Sequence, residues 1–248
     1  MNIILFEPQE VETDRITVHD RRSSHIKNVL KAVPGDRVRV GIINGGSGTG
    51  IVTEISDKSV TLKLAITDSE PQRPMTDLIL ALPRPIMLKR VLAQAAALGV
   101  GRIFLINAKR VEKSFFHASL LKEESYREYL IQGLEQAIDT LLPKVTIHTR
   151  FKPFIEDELP KLTEYANRLI AHPAVKQEIW QQEAPRINGK IVLAIGPEGG
   201  WLDYEMEKFR EQGFSAFSLG PRILRVDTAV PAILSQISLL RSMSQDRL

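Results

Sequence analysis

A chain of 248 residues, 43% hydrophobic and 25% charged, has an ordinary globular composition and room for one large domain or two small ones. The absence of cysteine excludes disulfides, thiolate nucleophiles and cysteine-ligated zinc, and agrees with a reducing cytoplasm. No apolar run approaches the ~20 residues of a membrane span, the opening MNIILFEPQE has neither the basic nor the long apolar region of a signal peptide, and the formal net charge is only +3.

The first third of the chain is made of short segments. Residues 3–6, 37–43, 50–55 and 59–66 read as strands, 25–31 as one short helix, and Gly45–Gly50 as a flexible hairpin bend that lacks the lysine and following helix of a phosphate loop. Between residues 15 and 39, seven basic side chains (Arg15, Arg21, Arg22, Lys27, Lys31, Arg37 and Arg39) face two acidic ones (Asp20 and Asp36). Such a run is most often a solvated face; it also has the sign of an electrostatic footprint for nucleic acid. A seam at residues 68–76, DSEPQRPMT, reads as a linker. The predicted domains are therefore a small β-barrel or sandwich over residues 1–70 and a second domain over 75–248.

After the seam strands alternate with helices. Strands are expected at 77–82, 100–106, 145–148, 168–172, 191–195 and 214–219, and helices at 86–98, about 119–139, 203–212 and from about 227 to 243. This alternation argues an α/β fold with a mostly parallel sheet. The last helix carries an apolar stripe of Val230, Ile233, Leu234, Ile237 and Leu240, which means core packing or a face for a second subunit. Pro231 suits it if the helix begins near Asp227 or Thr228, since first-turn N–H groups have no intrahelical partner.

Two bends carry the chemistry. Residues 191–201, IVLAIGPEGGW, run from a buried strand into Gly196, Gly199 and Gly200, which let a ligand approach the backbone. Trp201 and Leu202 stand where a P-loop needs Lys and Ser/Thr, the dinucleotide G-x-G-x-x-G spacing is missing, and no Lys or Arg lies between Lys190 and Lys208 to offset Glu198. The bend therefore suits a weakly anionic ligand such as an adenine nucleoside, or is simply a tight turn. The second bend, LGPRILRVDTA from Leu219 to Ala229, repeats the pattern of strand, glycine and helix start. Two such bends at one sheet edge can wall one pocket. Asp227 is a candidate N-cap, and either Arg222 or Arg225 can hold a phosphate or an anionic base.

Together, GPEGGW and LGPRILRVDTA resemble the motifs of the RsmE-type 16S ribosomal RNA uridine-N3 methyltransferases of the SPOUT superfamily. The likeness extends to His25-Ile26-Lys27-Asn28-Val29-Leu30, Gly35-Asp36, Leu98-Gly99-Val100 and Glu135-Gln136, and so covers nearly the whole chain. The chain departs from the family pattern at Asp227, where the family has Glu, at Ala97, also Glu in the family, and in lacking an arginine soon after Glu135-Gln136.

The resemblance implies a PUA-like RNA-binding β-barrel, a C-terminal domain with a trefoil knot, a homodimer, and S-adenosylmethionine bound at the knot. It places the cofactor on His172, Ile195, Gly196, Gly199, Leu219, Gly220, Ile223, Leu224 and Thr228, although a lone histidine after a strand is more often a local hydrogen-bonding residue. Arg225 is expected to stabilise the uracil anion and Glu198, or Asp227, to take the N3 proton; either carboxylate can instead hold backbone amides. RNA phosphates are expected on Arg21, Arg22, His25 and Lys27, with Arg15, Lys31 and Arg222 in support. The partner is the 16S rRNA of the small subunit. Neither a metal nor a membrane is expected, because the five histidines show no ligand spacing. The alternatives are an RNA-binding protein that has lost turnover and a ribose 2′-O-methyltransferase of the same superfamily.

Overall fold

The computed structural model describes residues 1–11, 13–67, 71–181 and 189–245, so residues 68–70 of the seam lie outside the described residues. The chain divides into two compact units, Met1–Gln72 with Ile131–Leu142, and Arg73–Leu130 with Pro143–Leu248.

The first unit is a curled five-stranded sheet with order β1-β3-β4-β5-β2: β1 (Ile4–Phe6), β2 (Arg15–Val18), β3 (Arg37–Ile42), β4 (Ser47–Ile55) and β5 (Val60–Ile66). β1 pairs parallel with β3 and the other pairs are antiparallel. Alternate residues enter one core that includes Phe6, Ile16, Val38, Val40, Val52, Val60 and Leu62. β2 is a strand the composition hid, since only Ile16 and Val18 of its four residues are apolar and buried. Helix α1 (Arg21–Ser24) is capped by Asp20, whose carboxylate accepts the N–H of Arg22 at 2.8 Å, and continues as a wider turn to Val29.

The hairpin bend expected over Gly45–Gly50 is shorter than that, because β4 begins at Ser47. Gly48 and Gly50 lie inside β4, where a Cβ on Gly48 would stand 2.1 Å from the Ala65 carbonyl oxygen and one on Gly50 2.8 Å from Val40. These glycines serve the close packing of a tightly curved sheet, and the chain reverses at Asn44, with φ +59°.

The second unit is a six-stranded, all-parallel sheet with order β11-β9-β10-β6-β7-β8. Its strands are β6 (Thr76–Ala81), β7 (Val100–Ile106), β8 (Lys144–His148), β9 (Tyr165–Ala171), β10 (Lys190–Ile195) and β11 (Ser215–Phe217). The central β6 is buried throughout and β10 from its second residue on, as near-continuous apolar runs between covered faces require. The helices are α2 (Pro85–Ala97), α3 (Glu123–Ala137, whose last turns belong to the first unit), the short α4 (Phe151–Pro153), α5 (Asp203–Glu211) and α6 (Val226–Gln245). α2 packs against α6, which buries Val230, Ile233, Leu234 and Ile237. Because α6 begins at Val226, Pro231 lies in its second turn and removes the bond to the Asp227 carbonyl, and Asp227 sits within the first turn instead of capping it.

The strand starts are pinned by fully buried Asp77. It receives Arg102 at 2.7 Å, Lys190 at 2.9 Å and the Tyr165 hydroxyl at 2.6 Å. Burial and the bond to Asp77 raise the Tyr165 pKa, keeping its hydroxyl protonated as a donor. This charged cluster occupies the amino ends of the strands, leaving the carboxyl ends for the cavity described next.

Candidate active site

The carboxyl ends of β9, β10 and β11 open into a cavity of about 370 Å³, the edge of a parallel sheet at which ligands usually bind. Three bends wall it.

The first follows Ile195. Gly200 adopts φ +75° and donates to the Pro197 carbonyl at 2.7 Å, closing a tight turn. Trp201 then folds under the bend, 3% exposed, with its ring 5.1 Å from Phe209 in an edge-on contact. A Cβ on Gly196 would stand 3.1 Å from the Trp201 Nε1, and that buried nitrogen has no hydrogen-bond partner among the described residues. Glu198 accepts the N–H of Arg84, at the entry to α2, at 3.1 Å. Arg110 donates to the Gly199 carbonyl, and Glu205, 2% exposed, accepts the N–H groups of Leu202 at 2.8 Å and Lys109 at 2.7 Å. Arg110 thus brings to this bend a cation that the local sequence lacks.

The second bend follows Phe217. Gly220 takes φ +92°, Ile223 is 83% exposed, and Arg222 and Arg225 are exposed at the cavity wall. The Arg225 guanidinium lies 3.1 Å from the Met87 sulfur and 3.4 Å from Asp227, which also pairs with Arg90 at 3.3 Å. The third wall is Ala171-His172-Pro173. His172 also accepts the Ala174 N–H through Nδ1 at 3.2 Å, so it both lines the cavity and stabilises its own loop.

Of the expected cofactor residues, His172, Ile195, Gly196, Gly199, Leu219, Gly220, Ile223 and Leu224 line this one cavity, together with Glu198, Arg222 and Arg225. Thr228 does not: it is exposed and its N–H bonds to the Arg225 carbonyl at 2.9 Å. Trp201, Pro173, Phe217, Val226, Ala229 and Ile233 also line it. None of these is among the site residues expected from the sequence: Trp201, Val226 and Ala229 lie in the two motifs and Pro173 follows His172, whereas Phe217 and Ile233 arrive through topology. Among the described residues no group of three potential ligands is placed to hold a metal ion.

The basic segment is sorted by its partners. Arg21 forms a two-bond pair with buried Glu135 at 2.8 and 2.9 Å. Arg22, only 12% exposed, pairs with Glu10 and Asp20 and donates to the Leu5 carbonyl. Its hydrogen bonds hold the Glu10 carboxyl below the usual range, and with Asp20 they outweigh the upward push of burial. His25 Nε2 lies 3.1 Å from the Met1 carbonyl, and Lys27 donates to the Asp57 carbonyl at 2.7 Å. Arg15 and Lys31 are exposed.

Comparison with known proteins places this geometry. Residues 70–238 match the model of the RNA methyltransferase domain, and residues 18–65 that of the RNA methyltransferase PUA domain. The chain is 33% identical over 238 residues to ribosomal RNA small subunit methyltransferase E of Treponema pallidum, covering 94% of this chain and 88% of that one. The chain belongs to the ribosomal RNA small subunit methyltransferase E family. Its fold is shared with the Neisseria gonorrhoeae ribosomal RNA small subunit methyltransferase E crystallised bound to S-adenosyl methionine, at TM-score 0.77 and 21% identity, covering 96% and 98% of the two chains. A probable rRNA-methyltransferase from Porphyromonas gingivalis superposes at TM-score 0.76 with 23% identity, covering 98% and 99%. The PUA match falls within the curled sheet and the methyltransferase match includes the walls of the cavity, so this member of the family carries both modules.

Proposed function

We propose that the protein methylates N3 of a uridine in 16S ribosomal RNA, using S-adenosyl-L-methionine. The observation that carries this reading is the meeting of the glycine bend at Gly196–Trp201 and the arginine bend at Gly220–Arg225 in one cavity.

The cavity suits the cofactor. Its volume falls within the range of small-molecule sites, its wall is largely backbone and apolar side chains, and Gly196 lets the backbone of the bend rest directly on the Trp201 indole, where a Cβ would crowd the ring at 3.1 Å. Ile195, Gly196 and Gly199 on one side and Leu219, Gly220 and Leu224 on the other would hold the nucleoside, with the orphaned Trp201 N–H beneath. When bound, the cofactor supplies a methyl group on a sulfonium. Arg225, exposed at the cavity, binds the uracil oxygens and stabilises the anion left when N3 loses its proton. Glu198 receives that proton: its Oε1 is on the Arg84 amide, while Oε2 has no hydrogen bond among the described residues. Arg222 orients the RNA at the mouth.

The same reading includes a homodimer, a cytoplasmic setting and a trefoil crossing of the C-terminal chain. The described residues contain no helix long and apolar enough to cross a membrane.

Two measurements test it. S-adenosylmethionine at 100 times its dissociation constant should stabilise the protein by about 2.7 kcal/mol in a thermal melt; no shift favours an RNA-binding protein without turnover. Mass analysis of digested RNA should find methyl on the uracil base, and methyl on ribose would establish the 2′-O reaction instead.

A further inference from the structure

The arginines at the helix start are poorly placed to receive RNA. Arg22 faces two carboxylates, so its surroundings carry net negative charge, and Arg21 is held in a two-bond pair by Glu135. A phosphate would have to displace a bidentate carboxylate at Arg21 or approach two acids at Arg22.

Arg37 and Arg39 differ. They are alternate residues of β3, so both point away from the core that takes Val38 and Val40, about 7 Å apart. Neither forms an ion pair or side-chain hydrogen bond among the described residues, and the adjacent Asp36 carboxylate is turned to the Val33 N–H at 2.8 Å. Both line a second cavity of the first unit, open and about 510 Å³ in volume. Its other walls include Asn2, Asp36, and the exposed aliphatic side chains of Leu30 and Ile138, so the two arginines leave the groove with a net positive charge.

Ile138 is a second sign of use. It stands just after α3 at φ +62°, a position that glycine or asparagine normally fills, and remains 43% exposed. Folding alone would favour neither the side chain nor its exposure.

We propose that this groove is the principal RNA-docking site of the first unit, binding an unpaired stretch of ribosomal RNA with phosphates on Arg37 and Arg39 and a base face against Leu30 and Ile138. Phosphate contacts and aliphatic walls accept any base, so the groove positions the strand without reading its sequence. This inference rests on the reading of RNA as substrate.

The test is filter binding of a 16S rRNA transcript at several salt concentrations, with steady-state methylation alongside. The R37Q/R39Q variant should bind about tenfold more weakly and lose about 1.4 from the slope of log K against log salt, at about 0.7 per single-strand phosphate. Its KM for RNA should rise with kcat and cofactor stabilisation unchanged. Ile138→Gly, which relieves the backbone, should bind RNA several-fold more weakly at an unchanged or higher melting temperature. A parental slope and affinity in R37Q/R39Q, with methylation by the parent intact, overturns the groove and leaves the proposed function standing. Failure of the parent to bind or methylate RNA overturns both. Weakened binding to assembled small subunits with undiminished binding to naked transcript would make the groove a protein contact and overturn it as well.

Discussion

The two bends that share the cavity are built on opposite plans. The bend at Gly196–Trp201 is held from several sides: Glu198 on the Arg84 amide, Arg110 on the Gly199 carbonyl, a turn closed on Pro197, and a buried indole beneath. The bend at Gly220–Arg225 turns Ile223 almost wholly to solvent and carries two exposed arginines, with Arg225 resting on the Met87 sulfur and on Asp227. A preorganised wall binds with little ordering cost, whereas an open one retains side chains free to meet a large partner. The division suits a cofactor gripped between the fixed first bend and the backbone of the second, with the exposed arginines of the second left for RNA.

That contrast can be broken by mutation. Trp201→Ala should produce the largest effect, about 3–5 kcal/mol of lost stability in denaturant melts, as for other buried large aromatics; a loss below about 1 kcal/mol would mean the first bend is not the rigid one. Arg225→Ala should leave stability within about 0.5 kcal/mol yet cut kcat by about 100- to 1000-fold, with cofactor affinity retained; near-parental turnover removes its proposed role. Glu198 separates two functions in one position. Glu198→Gln keeps an acceptor for the Arg84 N–H, so a fall in kcat of about 100-fold identifies proton transfer, while an active Gln variant beside an impaired Glu198→Ala variant makes the residue a clamp. The smallest change is expected for Ile223→Ala, within about 0.5 kcal/mol in stability; any effect should appear in KM for RNA, measured by varying the transcript.

The first unit adds a prediction of pH dependence. Glu10 and Asp20 have pKa values lowered by Arg22, so the stability they contribute is complete above their ordinary values of 4.5 and 3.8 and is lost as pH falls through the lowered values. Melting temperature plotted against pH should show this acid loss in the parent and a flatter profile in Arg22→Met.

Local patterns were legible wherever one segment determines its own structure. The apolar run at 191–195, the glycines after it, and the 3.6-residue stripe of the last helix all announced elements that the structure contains. β2 escapes because four residues with two apolar side chains have too little periodicity, and Gly48 reads as part of the bend because a strand passing close to another backbone has the same local composition as a loop.

The chain's sequence by itself determined the parallel α/β order and the pair of bends, because glycine conformation, burial periodicity and charge are properties of neighbouring residues. Only the tertiary structure decided which charges remain free. Arg21 and Arg22 look like the strongest phosphate ligands until Glu135, 114 residues beyond Arg21, and Glu10 are seen to occupy them. Arg110 reaches Gly199 across 89 residues, and Thr228 leaves the cavity because α6 begins two residues before it. Charge pairing depends on distance through space, which the order of residues along the chain does not state.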